Sequence, residues 1–186
     1  MKPRDDLHSY WRDPPAENNP KKYIIKKSSP FLVDVFKEHI PLSYSILEVG
    51  CNVGRNLNAL WQAGYRLLNG VDINPEAVHM MSAVYPSLGA DVTVSPLESF
   101  PFGLYDVIYS MAVLCHIHPD SEGIFRRMAE SAKIILTIED EHGKGTRHHA
   151  RNYEQVFSQL GFVQVAYWHK IDGMNRNYHA RLMRKR

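Results

Sequence analysis

The stretch Ser45-Ile46-Leu47-Glu48-Val49-Gly50-Cys51-Asn52-Val53-Gly54-Arg55-Asn56-Leu57 constrains this chain more than any other. An apolar run ends in an acid, a glycine turn follows, and a helix is expected from Asn56. A strand feeding a glycine loop feeding a helix is how α/β proteins hold a nucleotide-like ligand. A second apolar run, Leu67-Leu68-Asn69-Gly70-Val71, closes on Asp72. A carboxylate about 20 residues beyond such a loop is placed to grip a ribose diol. The bland alternative is that Glu48 caps a turn and Asp72 caps a helix at Pro75.

The missing glycines narrow the ligand. The dinucleotide pattern G-x-G-x-x-G needs glycine where Asn52 and Arg55 stand. Those glycines let backbone approach a pyrophosphate and let helix and strand pack closely. Asn tolerates a left-handed turn, so the loop itself survives. No G-x-x-x-x-G-K-[ST] loop occurs. The residues suit a ribose-bearing ligand without a pyrophosphate better than a nicotinamide dinucleotide or ATP.

Strands are predicted at Ser45–Val49, Arg66–Asp72, Asp91–Val94, Asp106–Ser110, Lys133–Ile138, Phe162–Trp168 and Tyr178–Met183. Helices are predicted at Phe31–His39, Asn56–Ala63, Pro75–Tyr85, Ser121–Ser131 and Tyr153–Leu160, with Pro75 at a first helical position and Gly64 and Gly161 as stops. Alternating βα units imply a parallel sheet covered on both faces. Residues 1–29, polar and dotted with prolines, read as a covering segment ahead of a single domain over 30–186, and Asp13-Pro14-Pro15-Ala16 reads as a proline-rich turn. The net charge of +2 is too small to argue for nucleic acid, and Arg181, Arg184, Lys185 and Arg186 read as a solvated tail. No apolar run approaches a membrane span or a secretory leader, and two cysteines suggest free thiols, so the cytoplasm is the expected location.

Glu48 to Gly54, followed by Val71-Asp72-Ile73-Asn74, resembles the first two motifs of class I S-adenosylmethionine-dependent methyltransferases. Tyr105-Asp106-Val107-Ile108-Tyr109-Ser110-Met111-Ala112-Val113-Leu114-Cys115-His116-Ile117 resembles the motif on their fourth strand. The resemblance runs from about Ser45 to Leu182. It departs from the family at Asn52, usually glycine, and at Ser95-Pro96, where many members carry an acid. It implies a three-layer α/β sandwich whose seven-stranded, mostly parallel sheet ends in an antiparallel C-terminal strand pair. It also implies S-adenosylmethionine as cofactor, with S-adenosylhomocysteine as product. Glu48, Gly50, Cys51, Asn52 and Gly54 would then cradle the methionine part, and Asp72 would take both ribose hydroxyls. Ile73 would pack on adenine, Ser95 to Leu97 would meet its edge, and Met111 and Ala112 would lie near the sulfur.

A sulfonium methyl is already activated, so the protein must mainly hold a nucleophile in line. An oxygen nucleophile usually also needs a base, and histidine is suited near neutral pH. His116 matches the family's recurrent histidine and is the candidate base. His118 would point away from it if the segment is extended. Tyr23, Lys26 and Lys27 could reach the cofactor carboxylate or the substrate. The polar run Glu139-Asp140-Glu141-His142, then Arg147-His148-His149, reads as a flexible loop overhanging the site. His148 is a candidate substrate contact there, and no tight metal-ligand spacing is present. The expected reaction is methyl transfer to an oxygen or nitrogen of a small molecule, with a sugar or secondary metabolite in view. Alternatives are a protein or RNA methyltransferase, or a non-catalytic protein that binds the cofactor. Oligomeric state is not legible.

Overall fold

The structure, a computed structural model, describes residues 2–25 and 28–186; Lys26 and Lys27 lie outside the described residues. Seven strands form one sheet: β1 Ile46–Val49, β2 Leu68–Asp72, β3 Ala90–Val94, β4 Tyr105–Met111, β5 Ala132–Asp140, β6 Phe162–His169 and β7 Tyr178–Lys185. Their order is β3-β2-β1-β4-β5-β7-β6. The first five pair in parallel, and β7 runs antiparallel between β5 and β6. Strand order reverses between β1 and β4, so a crevice opens beyond their carboxyl ends.

Helices cover both faces. They are α1 Arg4–Arg12, α2 Lys21–Ile24, α3 Ser29–His39, α4 Arg55–Gln62, α5 Pro75–Val84, α6 Gly123–Ser131 and α7 Tyr153–Ser158. Alternation along β1 sends Ile46 to one core, with Leu32 and Phe36 of α3 and Leu57 and Leu60 of α4. It sends Leu47 to the other, with Ile124 and Phe125 of α6 and Tyr153 and Phe157 of α7. Helix α5 starts at Pro75 with Asn74 as its N-cap, whose side chain accepts from the Ala77 N–H. Asn152 likewise caps α7, accepting from Gln155 N. Helix α1 sets Leu7, Tyr10 and Trp11 at i, i+3 and i+4 in an otherwise polar segment, and only Leu7 in it is fully buried.

Two expectations are corrected. Arg181 is not a solvated residue: its guanidinium donates to both oxygens of Glu141 at 2.7 and 2.8 Å and to Gln164 and Glu154, and it is buried in β7. The acids at 139–141 are not a flexible loop either. Glu139 and Asp140 end β5, Glu141 follows it, and all three are buried. Glu139 accepts from the N–H groups of Val113 and Cys115, fixing the chain after β4. A buried carboxylate needs such donors, and backbone amides supply them here without a cation.

Candidate active site

A cleft of about 1120 Å³, measured out to its open mouth, lies at the carboxyl ends of β1, β2 and β4. Its floor is the loop after β1. Gly50 turns there at φ +71°, and a Cβ on it would meet Val113 Cγ2 at 2.3 Å, so no side chain fits. Asn52 adopts φ +47°, the left-handed conformation that lets it stand in for glycine. The N–H groups of Gly50 and Cys51 both donate to Val71 O, pinning the loop to β2. Gly54 lies just outside the cleft, where a Cβ would strike Met81. It turns the loop into α4.

Asp72 stands in the cleft wall. One of its oxygens accepts from Asn52 N at 2.8 Å and the other from Asn74 N at 2.8 Å. The carboxylate is thereby oriented, and each oxygen keeps a lone pair for a ligand hydroxyl. Burial raises its pKa, against the pull of those backbone donors. Ile73, Ser95, Pro96 and Leu97 line the same end. Ser95 N donates to Asp72 O, holding the loop after β3 against the end of β2.

Glu48 faces α4 and accepts from Asn56 Nδ2 at 2.8 Å; burial pushes its carboxyl up to about 8. The side chain is therefore a neutral acid at neutral pH. Burial likewise raises the Cys51 thiol. Arg55, the first residue of α4, donates to Ser29 Oγ at 2.6 Å and Ser28 Oγ at 3.2 Å, and its second amino group approaches Met111 Sδ at 3.8 Å. Burial lowers its pKa, but a guanidinium stays charged. It brings a cation to the glycine-loop end of the cleft, and sequence reading had treated it only as a missing glycine. Ala112, beside Met111, sits at φ +60° with its N–H donated to Ile138 O. The left-handed backbone costs an alanine roughly 1–2 kcal/mol.

His116 and His118 both line the cleft, contrary to the expectation that they point apart. Positions two apart share one side of an extended segment, so their spacing gives no reason for opposed rings, and both face the cleft beyond the 3-10 turn over Leu114–His116. His116 Nδ1 donates to Arg147 O at 2.7 Å, which leaves Nε2 as the lone-pair nitrogen. Burial, opposed by that hydrogen bond, lowers its pKa to about 4. His118 Nδ1 accepts from Asp120 N.

The other wall is α1. Arg4, Leu7, His8 and Trp11 reach into the cleft, followed by Pro14, Asn18 and Tyr23. The Trp11 ring lies 4.6 Å from His116, and its Nε1 is buried without a hydrogen-bond partner among the described residues. A bound molecule carrying an acceptor would complete that bond. His8 bonds Glu98 at 3.0 Å, and Glu98 accepts from Ser121 Oγ at 2.7 Å, tying α1 to the loop after β3. Neither Trp11 nor Glu98 was marked by the sequence, since each acquires its place only through a long-range contact. None of residues 139–152 lines the cleft. The expected lid instead docks behind the wall, with His149 N donating to Cys115 O at 2.7 Å and Arg151 to Ile117 O. His148 lies in that docked loop, its ring 5.7 Å from His116.

Residues 47–133 match the family model of a methyltransferase domain. No curated protein matches the chain in sequence. Among solved structures, the magnesium protoporphyrin IX methyltransferase of Synechocystis PCC 6803, with bound S-adenosylhomocysteine, superposes with a TM-score of 0.77 at 15% identity, covering 97% of this chain and 98% of that one. The 1,6-didemethyltoxoflavin-N1-methyltransferase of Burkholderia thailandensis, with 1,6-didemethyltoxoflavin and S-adenosylhomocysteine bound, gives 0.70 at 15%, covering 98% and 86%. The mitomycin 7-O-methyltransferase gives 0.71 at 13%, covering 100% of this chain and 61% of that one. These likenesses establish the fold, and the family match spans the glycine loop, Asp72 and the motif on β4. Residues 47–133 thus match a methyltransferase domain, and the chain as a whole has the α/β fold of the solved S-adenosylmethionine-dependent methyltransferases it superposes on.

Proposed function

We propose that the chain transfers the methyl group of S-adenosylmethionine to an oxygen or nitrogen of a small molecule held between the cofactor and α1. The observation that carries this is one continuous cleft running from Asp72, past the glycine loop and Met111, to His116. In this reading Asp72 accepts both ribose hydroxyls, and Ile73 with Ser95 to Leu97 borders the adenine. Glu48, Gly50, Cys51 and Asn52 frame the methionine part. Arg55 takes its carboxylate, a role the sequence reading gave to lysines. Met111 and Ala112 flank the sulfonium.

The acceptor would lie among Trp11, Tyr23, His116 and His118. Shape supports a small molecule: residues of α1, with Pro14, Asn18 and Tyr23, wall the cleft on the acceptor side. The solved neighbours named for porphyrin, toxoflavin and mitomycin methylation also act on small molecules. The protein's work is then in-line positioning, worth several kcal/mol for oriented reactants. His116, neutral through the physiological range, accepts the proton that an oxygen nucleophile releases, through Nε2. With a pKa near 4 it is a weak base, which favours acceptors with an acidic proton or a free amine lone pair.

The test is a transfer assay with labelled cofactor against small phenols, amines and sugars. His116→Ala should lower kcat about 100-fold on an oxygen acceptor while leaving S-adenosylhomocysteine affinity unchanged. Because burial lowers the histidine pKa, the wild-type rate should stay flat as pH falls through the ordinary histidine range. Transfer only to protein or RNA would overturn the small-molecule reading. Tight cofactor binding with no transfer to any acceptor would leave a non-catalytic binder.

A further inference from the structure

Behind the cleft wall, Cys115 and His148 converge on His116, whose ring also lines the cleft. One ligand atom from each of Cys115, His116 and His148 lies within 4.8 Å of the other two. The convergence is built by the fold. The His116 ring is anchored on Arg147 O, and His149 N is tied back to Cys115 O at 2.7 Å, so the loop carrying His148 is clamped onto the turn after β4. His148 donates from Nε2 to Asp140 O at 3.0 Å. Each imidazole thus gives one nitrogen to a backbone carbonyl and keeps the other as a lone pair. That is the arrangement which orients histidine ligands in metal centres.

The loop is shaped around His148. A Cβ on Gly143 would stand 2.5 Å from His148 Cε1 and 2.8 Å from Asp140 Oδ2, so only glycine lets the backbone pass so close to the ring. The electrostatics point the same way. The Glu139 carboxyl accepts from Cys115 N at 3.2 Å and Asp140 follows it, so acidic groups stand beside the cluster, as a cation requires. Zinc bonds of about 2.0–2.3 Å put tetrahedral nitrogen and sulfur ligands roughly 3.3–3.8 Å apart.

We propose that Cys115, His116 and His148 form a binding site for a thiophilic divalent cation, zinc in the first place, with a fourth position left for water or another ligand. Binding releases the Cys115 proton to solvent and forms one metal–thiolate and two metal–imidazole bonds, with no redox change. Because Nδ1 of His116 is held by Arg147 O, the cation takes Nε2, so the zinc-loaded chain cannot use that nitrogen as the base in methyl transfer. The proposal does not rest on the methyl-transfer reading, since its readout is the metal.

The experiment uses the untagged full chain, stripped with a chelator and titrated with zinc in competition with a chromophoric indicator. A parallel titration with cobalt(II) reports thiolate ligation through its charge-transfer band. The expected result is one zinc per chain, a cobalt–thiolate band in the wild type, and loss of that band in Cys115→Ser. His148→Ala, which alters a loop rather than the buried core, should weaken zinc at least about tenfold with an unchanged far-UV spectrum. No retained zinc, a cobalt spectrum without the thiolate band, or His148→Ala binding zinc as the wild type does would each overturn the site.

Discussion

Glu48 and Arg55 show how single side chains at the cleft floor are set by their surroundings. Glu48 is wholly enclosed, and burial raises its pKa from 4.5 to about 8. Between those values the unfolded chain has lost its proton and the folded one keeps it. Stability therefore falls as pH rises through that window. Glu48→Gln keeps the acceptor for Asn56 and removes the titration. The stability gap between variant and wild type in urea should widen in favour of the variant by about 2 kcal/mol from about pH 6 to about pH 8. A gap that stays constant would mean Glu48 is ionised in the folded protein. Arg55 permits a sharper test, because its assigned partner can be deleted from the ligand. Arg55→Ala should weaken S-adenosylhomocysteine roughly 10–100-fold, the worth of a charge-assisted pair. It should leave 5′-methylthioadenosine, which lacks the carboxylate, unaffected. Equal losses for both ligands would make Arg55 a structural residue.

Elements differ in how far their residues announce them. The central strands β1, β4 and β5 stand out as apolar runs, because burial on both faces demands that composition, whereas the outer strands β3 and β6 are exposed along much of their length. Helix α4 was legible from the glycine loop before it. Helix α1 was not: Arg4–Arg12 is mostly polar, and its hold on the molecule comes from Leu7, from Trp11 against His116 and from His8 on Glu98. Leu7, Tyr10 and Trp11 do fall at helical spacing, but in so short and polar a segment that stripe names no partner. The charged run after β5 misled for the related reason that its partner is remote in sequence. Glu141 finds Arg181 on β7, and Arg181 reaches Glu154 on α7. Removing one member of a buried pair strands the other, so Arg181→Ala should cost about 3–5 kcal/mol in urea. A loss below about 1 kcal/mol would show that the pair is solvated in solution.

For the molecule as a whole, strand order decides where chemistry is possible. Reversal of the strand order between β1 and β4 opens a crevice, and Glu48 and Asp72, at the ends of their strands, fall beside it. That much was readable from strand-then-polar-residue patterns alone. The rest depends on loop conformations the sequence does not encode locally: the 3-10 turn that ends on His116, the left-handed Ala112, and the docked loop that carries His148 away from the cleft. No helix among the described residues is long and apolar enough to cross a membrane. What the whole architecture implies first is the cofactor. The decisive measurement is calorimetric titration of the wild type and Asp72→Ala with S-adenosylmethionine, S-adenosylhomocysteine and NADH. The wild type should bind the first two and not NADH. Loss of two charge-assisted hydrogen bonds should weaken the variant by about 100-fold or more with its fold intact. Binding of NADH alone, or an Asp72→Ala protein that binds as the wild type does, would refute the reading of the glycine loop and its carboxylate.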